Sequence, residues 1–247
     1  IIIDNHNIDE ETNKIKEKIG IVFQNSVLDD QLSVLQNLNS RASLYNLSKK
    51  DAKEKINYLV NILELNDILD RSYGNLSGGQ KRKVDIARAL IHDPAILFLD
   101  EPTTGLDPQT RNTVWNILHK LMDENGLTIF LTTHYMEEVV RANHVIILDS
   151  GKIAAEGSPD YLKDKYATDL LRFITKKNDE IEHLLTTNNI SFIYQKESYH
   201  IEVKNSLDAY NIINLNPQLL NNFEVLKGNM DQVFLNVTGK KLEENHG

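Results

Sequence analysis

Apolar positions along the chain change period several times, and each change predicts a new kind of element. Short continuous runs at Ile1 to Ile3 and Ile19 to Phe23 flank a stretch rich in Glu and Lys, and both have the length and composition of strands. From Ser26 to Leu76 apolar residues recur at helical spacing, through Leu32, Leu35 and Leu38 and then Ile56, Leu59, Val60 and Leu63. Ser48 is placed to cap a helix over Lys49 to Leu65. From Ser77 onward helix and strand alternate: Gln80 to His92, Ile96 to Leu99, Thr110 to Glu124, Thr128 to Thr132, Tyr135 to Arg141 and Val145 to Leu148. The runs beginning at Ile96 and Thr128 are apolar without interruption, as strands are when helices cover both faces of a parallel sheet. The pattern predicts an α/β core with a helical subdomain over about 26–92.

After the turn at Ser150 and Gly151 and a helix opened by Ser158 and Pro159, composition shifts near Tyr166 toward Asn, Lys and β-branched residues. The order there is a strand at Leu170 to Thr175, a helix carrying Ile181, Leu184 and Leu185, and strands at Ser191 to Gln195 and Tyr199 to Val203. A helix at Leu207 to Ile213 and a strand at Phe223 to Leu226 follow. That β-α-β-β-α-β order is the split ferredoxin-like arrangement, a small α+β domain. Met230 to Val237 reads as a closing helix with Gly239 beyond its end. The expected division is 1–165, 166–239 and a frayed tail over 240–247. Phe192, Tyr194 and Tyr199 are expected in its core before any ligand role.

Charge and cysteine usage narrow the classes of function. With 36 acidic against 27 basic residues the formal charge is −9, so no general basic surface is available for a phosphodiester backbone and no nucleic acid partner is expected. No apolar run approaches the roughly 18 to 20 residues needed to cross a bilayer. Cysteine is absent, which removes disulfides, thiolate metal sites and Cys nucleophiles and fits a reducing compartment. The opening inside an apolar triplet reads as the interior of a longer polypeptide.

Three places carry candidate chemistry. Leu76 Ser77 Gly78 Gly79 Gln80 stands directly before a helix. Ser77 and Gln80 make a capping box, but that leaves the two glycines unexplained, since each costs roughly 1 kcal/mol relative to Ala in a helix. Bare amides at a helix N-terminus suit a phosphate, and structural and functional roles stand about even. The second place is Ile96 Leu97 Phe98 Leu99 Asp100 Glu101 Pro102, an apolar strand ending in two acids. Either it runs into a solvated turn, or the acids serve a ligand at the carboxyl edge of a parallel sheet, where Asp100 would hold Mg²⁺ and Glu101 would deprotonate water. The third is a pair of polar residues, Gln24 and His134, also at strand ends and facing the same edge if the sheet is parallel.

Together these residues resemble the nucleotide-binding subunit of ATP-binding cassette (ABC) transporters, from Ile1 to about Lys165. The signature LSGGQ lies at Leu76 to Gln80, the Walker B run ILFLDE at Ile96 to Glu101 and the D-loop TGLD at Thr104 to Asp107. Gln24 matches the Q-loop and His134 the switch histidine. The runs GQKRKVDIARALIHDP and DEPTTGLDPQTR, with Met230 to Leu235 before Thr238 Gly239, resemble exporters of the daunorubicin-resistance and sodium-efflux type.

The resemblance implies a P-loop NTPase-like fold, ATP and Mg²⁺ as cofactors, and an ATPase that works as a head-to-tail pair of identical or related subunits. Its partners would be transmembrane permease subunits, which place it on the cytoplasmic face of the membrane. Glu101 would be the general base, Asp100 a magnesium ligand, Gln24 a metal and water contact, and His134 a γ-phosphate contact. Ser77, Gly78, Gly79 and Gln80 would address the nucleotide held by the partner, with Asp107 crossing the interface. The departure is that no G-x-x-x-x-G-K-[ST] (Walker A) occurs in the chain. The family's spacing needs more residues upstream of Gln24 than Ile1 to Phe23 supply, so the chain as it stands is expected to bind nucleotide feebly and to be inactive alone. Leu28, Leu32, Leu35 and Leu38 are expected to line a permease groove or the core, the core being the commoner fate of such residues. A soluble cassette protein with no transporter, or a non-catalytic regulatory cassette, is the alternative.

Overall fold

The computed structural model describes residues 1–45 and 47–239, so the tail expected over 240–247 lies outside the described residues. By packing the chain divides into two compact units, Ile1–His134 and Tyr135–Gly247.

In the first unit the apolar opening forms β1 (Ile2–Ile3), paired with β2 (His6–Asn7) around Asp4 and Asn5. The Glu- and Lys-rich stretch holds a helix that the apolar pattern does not predict, α1 (Thr12–Lys18), anchored by one buried side chain, Ile15. Then come β3 (Ile19–Val22), α2 (Val34–Ser43), α3 (Lys49–Ile62) and α4 (Gly78–Leu90). Ser33 and Ser48 cap α2 and α3 through their side-chain oxygens. The unit ends with β4 (Ile96–Asp100), α5 (Pro108–Asn125) and β5 (Thr128–Thr132). Asp107 and Pro108 open α5, and Gly126, at φ +62°, closes it.

β3, β4 and β5 form a parallel sheet in that order, with Val22 beside Leu99 and Asp100 beside Thr132. The three strands therefore end along one edge. Val22, Leu97 and Leu99 belong to one core with Leu38, Leu59, Val84, Ile86, Val114 and Leu118. Each such side chain contributes roughly 1.5–3 kcal/mol by leaving water. Helix α4 is amphipathic only in its first turns, and from Val84 to Ile91 every residue is buried. It lies so close to β3 that a Cβ on Gly20 would sit 2.5 Å from the Ala89 carbonyl. Leu38 is fully buried and so belongs to the core, not to a groove; Leu28, Leu32 and Leu35 are half-buried.

The second unit begins with α6 (Met136–Val139), shorter than the helix expected over Tyr135 to Arg141. The hairpin β6 (Val145–Asp149) and β7 (Lys152–Gly157) and the helix α7 (Pro159–Tyr166) follow. Next come β8 (Asp169–Ile174), α8 (Asp179–Thr187), β9 (Ile193–Gln195), β10 (Ser198–Val203), α9 (Ser206–Ile213), β11 (Phe223–Leu226) and α10 (Met230–Thr238). The sheet runs β11-β8-β10-β9 with every neighbour antiparallel, the split β-α-β order. Leu171, Phe173, Tyr199 and Ile201 fill the face under its helices, and Tyr194 and Phe192 pack against Tyr199. Helix α10 does not close this sheet. Met230 and Val233 are buried with Val145, Ile147, Ala155 and Leu162, so the last helix joins the hairpin and α7 in a core of their own. Packing thus groups 135–165, expected with the first domain, with the C-terminal helix.

Candidate active site

Every polar group proposed for the sheet edge arrives there because parallel strands end together. Gln24 follows β3, Asp100 ends β4 with Glu101 next after it, and Thr132 ends β5 with His134 two residues beyond. Glu101 is the point of convergence. Gln24 Nε2 donates to Glu101 Oε2 at 3.0 Å and Thr104 Oγ1 donates to the same oxygen at 3.1 Å. His134 Nδ1 lies 3.2 Å from Glu101 Oε1. Glu101 itself turns out of the strand at φ +41°, a left-handed conformation that costs a non-glycine residue about 1–3 kcal/mol and persists where surroundings hold it.

Asp100 is arranged differently from its neighbour. Its Oδ1 accepts from Thr132 Oγ1 at 2.7 Å, while the Thr132 hydroxyl oxygen accepts from the Glu101 amide at 3.1 Å. One threonine thus fixes both acids from the adjacent strand. No group of three or more His, Asp and Glu able to hold a metal exists among the described residues. A set of one or two exposed carboxylates is nevertheless what Mg²⁺ uses, since it keeps waters and phosphate oxygens for its remaining positions.

The serine and glycine turn forms the start of α4. Ser77 Oγ accepts from the Gln80 amide at 3.3 Å, and Gln80 Oε1 accepts from the Ser77 amide at 3.1 Å. The two glycines are not equivalent. A Cβ on Gly79 would run into Thr110 Cγ2 in the first turn of α5, so close packing inside this chain accounts for that residue. At Gly78 a Cβ would meet only Leu106 Cδ2, at an ordinary 3.5 Å, so contacts within the chain do not require glycine there. Thr110 is held in turn by Asp107, whose carboxylate accepts from the Thr110 amide at 3.0 Å and from its hydroxyl. Those bonds hold Asp107 below the ordinary carboxylate pKa. The signature turn and the D-loop are therefore neighbours, whereas the acids and Gln24 make a separate cluster.

Sequence reasoning missed what joins the two. Arg82, one turn into α4 and 7% exposed, donates from Nη1 to the Phe23 carbonyl at 2.7 Å and from Nε to the Pro102 carbonyl at 2.5 Å. Its Nη2 donates to the carbonyls of Asp100 at 3.0 Å and Glu101 at 2.7 Å. Farther along α4, Asp85 accepts from Ser26 Oγ at 2.6 Å and from Tyr73 Oη at 3.1 Å, and Arg88 donates to the Ile21 carbonyl. Burial pushes the Asp85 carboxyl up, against those two bonds and the neighbouring arginines. The signal was present as charges of alternating sign at 82, 85 and 88, every third residue on a helix whose later turns are otherwise apolar.

The sequence profile described as "ABC transporter" matches residues 1–104. The Nod factor export ATP-binding protein I of Cupriavidus metallidurans is 43% identical over 148 residues, 60% of this chain and 48% of that protein, so the match spans about half its length. The daunorubicin/doxorubicin resistance ATP-binding protein DrrA of Streptomyces peucetius is 30% identical over 250 residues, covering 97% of this chain and 75% of that protein. Among solved structures, the ATP-binding cassette MJ0796, described as dimeric in a post-hydrolysis state with ADP and Pi, superposes with a TM-score of 0.56 at 31% identity. That match covers 64% of this chain and 72% of the other.

Proposed function

From a chain that belongs to the ABC transporter ATP-binding family, we propose an ATP-hydrolysing subunit of an exporter, active as a head-to-tail pair and coupled to a separate membrane permease. The observation that carries this is the convergence of Gln24, Thr104 and His134 on the Glu101 carboxylate at one parallel-sheet edge. A carboxylate with two neutral donors on one oxygen and an imidazole at the other is fixed in direction, as a base that must take a proton from one water has to be. Glu101 accepts that proton, Gln24 and His134 hold the water and the terminal phosphate in line, and Asp100, steadied by Thr132, would hold Mg²⁺ with Gln24. Bound Mg²⁺ would neutralise charge on the phosphate oxygens.

The start of α4, with Ser77 and Gly78 exposed, serves a different duty. Ser77 and the amides of Gly78 and Gly79, at the positive end of a thirteen-residue helix, suit the γ-phosphate held by a second cassette, with Gln80 bracing the turn and Asp107 crossing beside it. Support for pairing comes from the dimer described for the related cassette with ADP and Pi. The relatives' names, Nod factor export and daunorubicin/doxorubicin resistance, support export over a transporter-free role. No helix among the described residues is long and apolar enough to cross a membrane. On this reading residues 1–165 serve as the cassette and 166–239 as an accessory domain.

Phosphate release from Mg²⁺-ATP by the full-length protein tests the proposal. Glu101→Gln is expected to lower turnover at least about 100-fold, the scale of a lost general base. Retained turnover would assign the base elsewhere.

A further inference from the structure

We propose that Arg82 is a positioning residue for hydrolysis: it fixes the turn that aims Glu101 and the strand end that delivers Gln24, without touching nucleotide itself. The inference deepens the proposed ATPase function and rests on it for its catalytic consequence only.

Four carbonyls from two separate chain segments, Phe23 on one side and Asp100, Glu101 and Pro102 on the other, accept from one guanidinium. Asp100 is the last paired residue of its strand, and the Phe23, Glu101 and Pro102 carbonyls lie beyond the paired residues, where a buried carbonyl without a donor is costly. Only arginine presents several N–H donors in a rigid fork, so a single side chain can order both segments relative to each other. Three of the four carbonyls surround the position where Glu101 adopts φ +41°. A left-handed residue is maintained by what holds its flanking peptides, and here Arg82 acts together with the Thr132 hydroxyl on the Glu101 amide and the Thr104 amide on the Glu101 carbonyl at 3.4 Å. The carboxylate direction follows from the backbone turn, and the distance to Gln24 follows from the clamp on Phe23.

The clamp also gives α4 two duties. Its first turn seats on α5 through Gly79 and Thr110, and one turn later Arg82 grips the edge that carries the acids. A shift of the helix would therefore reach Glu101 directly. Arg88 supplies the contrast, because it too is buried in α4 and donates to a strand carbonyl, but that carbonyl is Ile21, inside β3 and away from the turn.

The experiment compares Arg82→Met with Arg88→Met by amide hydrogen exchange on this chain and by steady-state kinetics on the full-length protein. In R82M the Glu101 and Thr104 amides are expected to exchange at least ten-fold faster relative to the Leu97 and Leu118 amides of the core, a selective change absent from R88M. In the full-length protein R82M is expected to lower kcat at least ten-fold with KM for ATP within two-fold, and Arg82→Lys, with fewer donors but the same charge, is expected to fall between. Should R82M fail to fold, R82K against Arg88→Lys gives the same selective comparison. Unchanged exchange at Glu101 and Thr104, or a rise shared equally with the Arg88 variant, overturns the proposal. A wild-type protein without ATPase activity would instead overturn the proposed function, and exchange would still decide whether Arg82 holds the turn.

Discussion

The two sheets of this molecule manage their strand ends in opposite ways. In β3-β4-β5 every strand runs the same direction, so the carbonyls and side chains after Val22, Asp100 and Thr132 gather at one edge, where Arg82 collects the carbonyls and Glu101 collects the side chains. In β11-β8-β10-β9 the strands alternate, ends are divided between two edges, and polar groups pair locally. Arg172 on β8 meets Glu224 on β11 at 2.6 Å, Asp169 accepts from Lys227 at 2.6 Å, and Tyr199 Oη accepts from the Asn178 amide at 2.7 Å. In this molecule the parallel sheet concentrates its polar groups at one edge held by Arg82, and the antiparallel sheet disperses them into local pairs.

That contrast can be broken at three points of decreasing effect. Asp85→Ala leaves Tyr73 Oη and Ser26 Oγ without their shared carboxylate, and is expected to destabilise the first unit by about 3–5 kcal/mol in urea unfolding, the scale of two hydrogen bonds to a charged group. A loss under 1 kcal/mol would mean the network is not what holds α4 against the sheet. Gly79→Ala forces a methyl against Thr110 Cγ2 and should cost about 1–3 kcal/mol, with Thr110→Ser recovering most of it in the double variant by removing that methyl. Recovery below about half would point to a backbone requirement at Gly79 in place of the contact. Arg172→Ala, in a half-exposed pair on the second sheet, should cost no more than about 1 kcal/mol by the same measurement.

The sheet edge was legible because its strands are short uninterrupted apolar runs, and a polar residue immediately after such a run has one place to go. Gln24, Asp100 and Glu101 were locatable on that ground alone. The capping boxes were equally plain, being local. What the pattern could not show was long-range. Arg82 lies between two lysines and looks solvated until the sheet end is placed over it. Gly79 looks like ligand space until α5 brings Thr110 against it. Helix α1 buries only Ile15, which leaves no periodicity to detect, and α10 shows a clear apolar stripe that does not say which core it enters.

In the proposed function Glu101 acts on nucleotide bound at its own edge while Ser77 closes over nucleotide bound by a partner. Sedimentation of the full-length Glu101→Gln protein with saturating Mg²⁺-ATP addresses it directly. A stable dimer is predicted, reverting to monomer when Ser77→Arg is added. An E101Q protein that stays monomeric, or a double variant that still pairs, would contradict it.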